Sequence, residues 1–270
     1  MVTSTSRSAA SWPGSTPRTD TAVNGVVLDL FGTVAAPAST DRTDAAFRLA
    51  NTIGCDPDAV ERYLLATWQV RHDGTLPTVS ALAEHFVPTV GGQTSKVQAA
   101  ADELQTLGRS RLGPDTSVVH TLVSLRSSGY RLGILSDASA EIAAAWPTNP
   151  LASVVDAVVF SYVAGCTKPD QRLYARIGDE LGVPAHETLY CGDGGGDELR
   201  GARDAGMSAV AVHRRGVADA LAFGNTPWSG PVIDAVEQLP TYLAVCHEGV
   251  GNPSRRVGPA QRGAASGANQ

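Results

Sequence analysis

Five short, nearly unbroken apolar runs punctuate the chain: GVVLDL (25–30), YRLGILS (130–136), DAVVFS (156–161), TLYCG (188–192) and SAVAVH (208–213). Each is bounded by Gly, Asp or Ser, which predicts strands covered on both faces, as in a parallel sheet. Between them the apolar spacing becomes helical. In TSVVHTLVSLRSSG, Val118, Val119, Leu122 and Leu125 share a face and Gly129 is placed to end the helix. In KPDQRLYARIGDELG, Leu173, Ile177 and Leu181 do the same, Pro169 suits the first helical position and Gly182 follows. DELRGARDAG repeats the scheme with Gly206. Strand alternating with helix from 115 to 213 predicts an α/β fold with a doubly wound parallel sheet.

One interval breaks the alternation. Residues 37–113 contain helical patterns, DAVERYLLATW and SKVQAAADELQTLG among them, and no strand signal. The interval is much longer than a crossover requires, so it is expected to be a helical insertion between 23–36 and 114–247, the two pieces of the sheet domain. The Ser/Thr/Pro-rich residues 1–22 and the Gly/Ala/Ser/Arg-rich residues 248–270 read as a disordered leader and tail.

Composition narrows the classes. With 43% hydrophobic and 18% charged residues and a formal charge of -6, the 270-residue chain resembles an ordinary globular protein. No Lys/Arg cluster offers a face for nucleic acid. Cys55, Cys166, Cys191 and Cys246 are far apart and follow no zinc-ligand spacing, so reduced thiols are expected. There is no apolar run of membrane-spanning length and no signal-peptide pattern, and the expected location is cytoplasmic, with no membrane partner.

In an open parallel sheet, ligands bind beyond the carboxyl ends of the strands. Asp29 follows the first apolar run, Ser136 the second, Lys168 comes soon after the third, and Asp193 follows the fourth with Asp197 and Glu198 just beyond. Adjacent strands would bring a nucleophilic carboxylate, a hydroxyl, an ammonium and further acids into one pocket. That set fits displacement at an electron-poor centre, with Asp29 attacking and Ser136 and Lys168 holding negative oxygens. Asp29 and Asp193 could also bind a hard divalent ion such as Mg2+. The glycines of CGDGGGDE and Gly32 allow tight turns beside these carboxylates.

VVLDLFGTV, ILSDAS, TKPDQRLY and CGDGGGDELRGARDAGM follow one another in the order and spacing of the four motifs of the haloacid dehalogenase-like hydrolase superfamily, which the chain resembles over roughly residues 23–245. The resemblance implies a Rossmann-like core, with 37–113 as a helical cap inserted after the first motif. It makes Asp29 the nucleophile, Ser136 and Lys168 the oxyanion binders, and Asp193 a metal ligand. Asp197 or Glu198 would be a second acidic ligand, and the Phe31 backbone carbonyl would complete the protein's share of Mg2+ coordination.

Phosphatases of this superfamily usually carry a second aspartate two residues after the nucleophile, where this chain has Phe31. A phenyl ring cannot move a proton, so the leaving group needs none or another residue supplies it. Dehalogenases of the group place an aromatic residue there, but they work without metal and tend to have neutral residues in the fourth motif. The three carboxylates of GDGGGDE favour a Mg2+-dependent phosphatase acting on a small anionic metabolite. The alternatives are a 2-haloacid dehalogenase with an ester at Asp29 and a catalytically weakened ligand-binding protein. His72 and His85 in the insertion are candidate proton donors, while Tyr63, Trp68, Arg62, Arg71 and Tyr174 are expected to pack or face solvent.

Overall fold

The computed structural model describes residues 22–35, 41–213 and 227–250. The chain enters through β1 (Gly25–Leu28) and passes into five helices: α1 (Asp41–Ile53), α2 (Pro57–Ala66), α3 (Trp68–His72), α4 (Val79–Thr89) and α5 (Val97–Arg111). It then alternates through α6 (Thr116–Ser127), β2 (Arg131–Ser136), α7 (Ala140–Ala145), β3 (Ala157–Phe160), α8 (Ser161–Ala164), α9 (Gln171–Leu181), β4 (Thr188–Gly192), α10 (Glu198–Asp204) and β5 (Ser208–Val212). A short β6 (Val232–Ile233) and α11 (Leu239–Val250) follow.

The six strands form one parallel sheet in the order β3-β2-β1-β4-β5-β6. From β1 the chain builds outward first through β2 and β3 on one side, then through β4, β5 and β6 on the other. The order therefore reverses at β1, and a crevice opens there beyond the carboxyl ends of the strands. The apolar runs lack alternation because both sheet faces are covered. Val26 and Leu28 pack with Val118, Leu122 and Leu125 of α6, whereas Val27 packs with Leu173 and Ile177 of α9.

The helices from α1 to α5 have a hydrophobic cluster of their own, in which Leu49, Val60, Phe86, Val87 and Leu104 are buried. Their ends are set locally. Asp56 accepts a hydrogen bond from Asp58 N ahead of Pro57 in α2, and Thr78 Oγ1 accepts one from Ala81 N at α4. This insert touches the sheet layer through α5, which packs on α7. A Cβ on Gly108 would come within 2.5 Å of the Glu141 carbonyl oxygen, so the two helices meet at their backbones.

Three details depart from the expectations. Pro169 is not the first helical residue: α9 begins at Gln171, and Asp170 caps it by accepting from Arg172 N at 3.0 Å. β6 is a two-residue edge pairing, too short to give a sequence signal. Helix α11 runs through Val250 and takes up the first residues of the stretch assigned to the tail. The rest of that tail, and the leader apart from Ala22, lie outside the described residues.

Candidate active site

Strand register brings the acidic ends together. Leu28 lies opposite Ile134 of β2 and Cys191 of β4, so Asp29 and Ser136 emerge from neighbouring strands and Asp193 from the other flank. Asp29 N donates to the Cys191 carbonyl at 2.9 Å, which extends the β1–β4 ladder by one residue and fixes the start of the Asp29 turn. Two glycines then let the carboxylates approach the backbone. A Cβ on Gly32, which has φ +84°, would lie 2.1 Å from Asp193 Oδ2, and one on Gly192 would lie 2.0 Å from Glu198 Oε1. A side chain at either position would force the facing carboxylate to shift.

Lys168 is the cation of this group. Its Nζ donates to Asp29 Oδ1 at 2.6 Å and to Glu198 Oε2, and all three side chains are almost fully buried. Glu198 is held on every side: Tyr190 OH donates to Oε2 at 2.7 Å, Gly194 N to Oε1 at 3.0 Å, and Tyr174 OH to its backbone carbonyl at 2.9 Å. Tyr174 is thus a core residue, as expected, that also anchors the first turn of α10. Lys168 N donates to Asp137 Oδ1 at 3.0 Å, which ties the Lys168 loop to the end of β2. These partners explain a lysine just before a helix, a position that is unfavourable without nearby anions.

The charges do not balance. Burial, followed by the neighbouring Glu198 and Asp193 carboxylates, raises the Asp29 pKa well above the usual range, and Lys168 offsets only part of this. Burial by itself would lower Lys168, but Asp29, Glu198 and Asp137 outweigh it and keep the side chain an ammonium. Asp137 is pushed up to about 6, mainly by burial, so it titrates near neutral pH.

Asp29, Asp193 and Glu198 each offer a carboxylate oxygen within 4.8 Å of the others. An all-oxygen, net-negative set of this kind suits a hard divalent cation, and a second positive charge would remove the repulsion that raises Asp29. Of the two alternatives for the second acid, Glu198 joins this group and Asp197 does not. Asp197 has left-handed backbone (φ 54°) and its carboxylate lies 3.5 Å from Arg200 Nη2. The physical reason is helical geometry: the chain turns from Gly196 into α10 at Asp197, which directs the following side chain, Glu198, to the interior. Ser136 is buried, lines the same cavity, and its Oγ lies 3.5 Å from the Asp137 carbonyl. Phe31 also lines it, with the Arg111 guanidinium 4.9 Å from its ring centroid.

The cavity is about 170 Å³ and runs from these strand ends to the inner surface of the insert. Leu49, Leu82, Phe86, Leu104 and Leu107 form its apolar wall, and Tyr63, Trp68, Arg71 and His72 also reach it. His72 stacks on Trp68, its Nδ1 lies 2.6 Å from the Trp68 carbonyl, and burial lowers its pKa to about 3. It is therefore neutral at physiological pH, with no proton to give as an imidazolium. His85 is bonded to Tyr63 OH at 2.8 Å, Arg71 Nη2 donates to the Leu64 carbonyl, and exposed Arg62 lies 3.8 Å from Asp56. Sequence reasoning missed Tyr190, Arg111 and Glu141 at this site. Tyr190 is hidden inside an apolar strand, and the other two stand in no motif that would single them out.

A model of the haloacid dehalogenase-like hydrolases matches residues 23–206. The chain is 31% identical over 106 residues to the glyceraldehyde 3-phosphate phosphatase of Methanopyrus kandleri, a match that covers 38% of this chain and 45% of that enzyme. It thus spans less than half the length of that relative. A (S)-2-haloacid dehalogenase 4A of Burkholderia cepacia is 28% identical over 207 residues, 70% of this chain and 83% of the enzyme. The fold is also similar to that of the 2-haloacid dehalogenase from Pseudomonas syringae pv. Tomato DC3000, with a TM-score of 0.60, 22% identity, and coverage of 83% of this chain and 99% of that one. The motifs at the four strand ends and a family match spanning most of the sheet domain lead to one conclusion: the chain belongs to the haloacid dehalogenase-like hydrolases.

Proposed function

We propose that the protein is a Mg2+-dependent phosphatase acting on a small anionic metabolite, with Asp29 as the nucleophile. The observation that carries this reading is the acidic group of buried Asp29, half-buried Asp193 and buried Glu198, in which the Lys168 ammonium pairs with Asp29 and Glu198. Asp29, Asp193 and Glu198, with the Phe31 carbonyl, would hold the metal. When bound, Mg2+ would neutralise phosphoryl charge and help keep Asp29 ionised.

The chain's own residues then have distinct tasks. Asp29 attacks phosphorus, an aspartyl-phosphate forms, and the leaving oxygen departs with the bonding pair; water attacks phosphorus in the second step and frees Asp29. Lys168 and Ser136 hold the nonbridging oxygens. The hydrogen bonds from Tyr190 and Gly194 keep Glu198 in place beside Lys168. Phe31 donates no proton, so acyl phosphates, and phosphate esters with acidic leaving groups, lose least at this site. The insert from α1 to α5 acts as a cap that covers the substrate and excludes water.

Phe31 and the long match to a haloacid dehalogenase favour a second reading, displacement of halide by Asp29 through an ester. One assay separates the two. Phosphate release from an acyl phosphate and from alkyl phosphates is measured with Mg2+ or EDTA, and chloride release from 2-chloropropionate is measured alongside. The phosphatase reading expects Mg2+-dependent phosphate release that falls on the order of 10³-fold or more in Asp29→Asn. Chloride release unaffected by EDTA, without phosphate release, would establish the second reading.

A further inference from the structure

We propose that Glu141 forms a substrate-selecting subsite of the cavity, taking a hydroxyl or ammonium group carried by the substrate at a distance from its phosphate. The inference rests on the phosphatase reading for the identity of the reacting group, and on separate residues for the selection.

Glu141 lies in the first turn of α7, where that helix packs against α5, and is only 5% exposed. One of its carboxylate oxygens, Oε1, accepts a hydrogen bond from Ser139 Oγ at 2.6 Å. The other, Oε2, is shielded from solvent and has no hydrogen-bond partner in the protein. Glu141 nevertheless lines the cavity that contains Asp29 and Lys168. A buried carboxylate oxygen left unsatisfied carries the full desolvation penalty, and native structures rarely retain one without a reason.

The surroundings indicate what would satisfy it. Leu104, Leu107 and Ile142 line the same cavity and offer no donor, the nearby Tyr63 hydroxyl is bonded to His85 Nδ1, and of the two guanidiniums in the lining Arg71 donates to the Leu64 carbonyl while Arg111 lies over the Phe31 ring. A ligand that enters between insert and sheet can present the missing donor. Its phosphate would go to Lys168 and Ser136, and a hydroxyl or ammonium further along its chain to Glu141. A ligand with a methyl group at that place would leave the carboxylate unpaired and be rejected, the arrangement in which a polar pocket discriminates most strongly.

The bland explanation is that Glu141 is an acid favourably placed near a helix N-terminus. The two accounts differ in what a substitution changes. The probes are propyl phosphate, 3-hydroxypropyl phosphate and 3-aminopropyl phosphate. Their relative kcat/KM values are measured in Mg2+ for the wild type, Glu141→Leu and Glu141→Gln, and their affinities are measured calorimetrically in the Asp29→Asn background so that recognition is read without turnover. Subsite recognition expects the donor-bearing esters to be preferred roughly ten- to hundredfold, the size of a charge-assisted hydrogen bond. The preference should collapse in Glu141→Leu, and in Glu141→Gln the amino ester should lose more than the hydroxy ester. Equal kcat/KM values in the wild type, a preference that survives Glu141→Leu, or failure of all three esters to bind would overturn it. Binding preference without any phosphate release would instead overturn the phosphatase reading and leave the Glu141 subsite standing.

Discussion

The two ends of the cavity are built in different ways. At the strand ends, Asp29, Lys168 and Glu198 are gripped by backbone register, by glycines that admit no side chain, and by Tyr190. At the insert, Leu49, Leu82, Phe86, Leu104 and Leu107 present an apolar wall from helices that belong to a separate hydrophobic cluster. The first end concentrates charge in a region of low dielectric, where every partner matters. The second is a mostly apolar wall, whose shape is set by side-chain volume rather than by charge. Under the proposed function, chemistry would be tied to the strand ends, and the fit of the substrate to the residues lining the rest of the cavity, Glu141 of α7 among them.

The strongest test of this contrast is Lys168→Met. Removing the ammonium leaves Asp29 and Glu198 buried without their cation, and the expected loss is about 3–5 kcal/mol of stability together with turnover. Urea unfolding measures the first, and a double variant that adds Glu198→Gln should recover part of it. A loss below about 1 kcal/mol would mean that the crevice is wetter than its geometry implies.

A more gradual effect distinguishes the two ends by pH. His72, on the insert, has its folded pKa lowered from 6.5 to about 3, so the stability it contributes is present above pH 6.5 and is lost as pH falls towards 3. Asp137, at the strand ends, is raised from 3.8 to about 6, so its contribution has the opposite sign: it is present below pH 3.8 and lost as pH rises through 6. Over the shared window the two slopes oppose each other. In His72→Phe the stability difference from wild type should shift in favour of the variant as pH is lowered from 6.5 towards 3, by up to about 1.4 kcal/mol per pH unit in the middle of that window. Parallel pH profiles for the two proteins would rule out a buried neutral His72.

Tyr190→Phe is the mildest change. It removes the hydrogen bond to Glu198 and a long one of 3.5 Å accepted from Lys168 Nζ and leaves the ring packed in the core, so about 1–2 kcal/mol of stability is expected to be lost. If the tyrosine also keeps Glu198 in position, the Mg2+ concentration needed for half-maximal activity should rise. Loss of stability with an unchanged Mg2+ requirement would confine its role to the core.

Much of this was legible in the sequence. All-apolar runs identify strands covered on both faces, because a solvated face would demand alternation, and glycine or aspartate marks where each run stops. Asp29, Ser136, Lys168 and Asp193 could be read as one site since each stands at or soon after a strand end, and a parallel sheet sends all those ends the same way. Other features were beyond reach. The choice of Glu198 over Asp197 depends on one left-handed residue at the entrance to α10. Which insert residues face the cavity depends on helix rotation, and the same amphipathic period serves a helix packed on its neighbours and one that lines a pocket.

By itself, then, the sequence determined the order of five of the six strands among the described residues, the helical character of what separates them and the kind of groups available at each strand end, because periodicity and turn chemistry act over a few neighbouring residues. The tertiary structure decided the rest. Only long-range packing places Lys168 between Asp29 and Glu198, sets Tyr190 against them from within a strand, and leaves Glu141 Oε2 buried without a protein donor. Those relations join residues far apart in the chain, and burial, which gives each of them its energy, exists only once the sheet and the insert have come together.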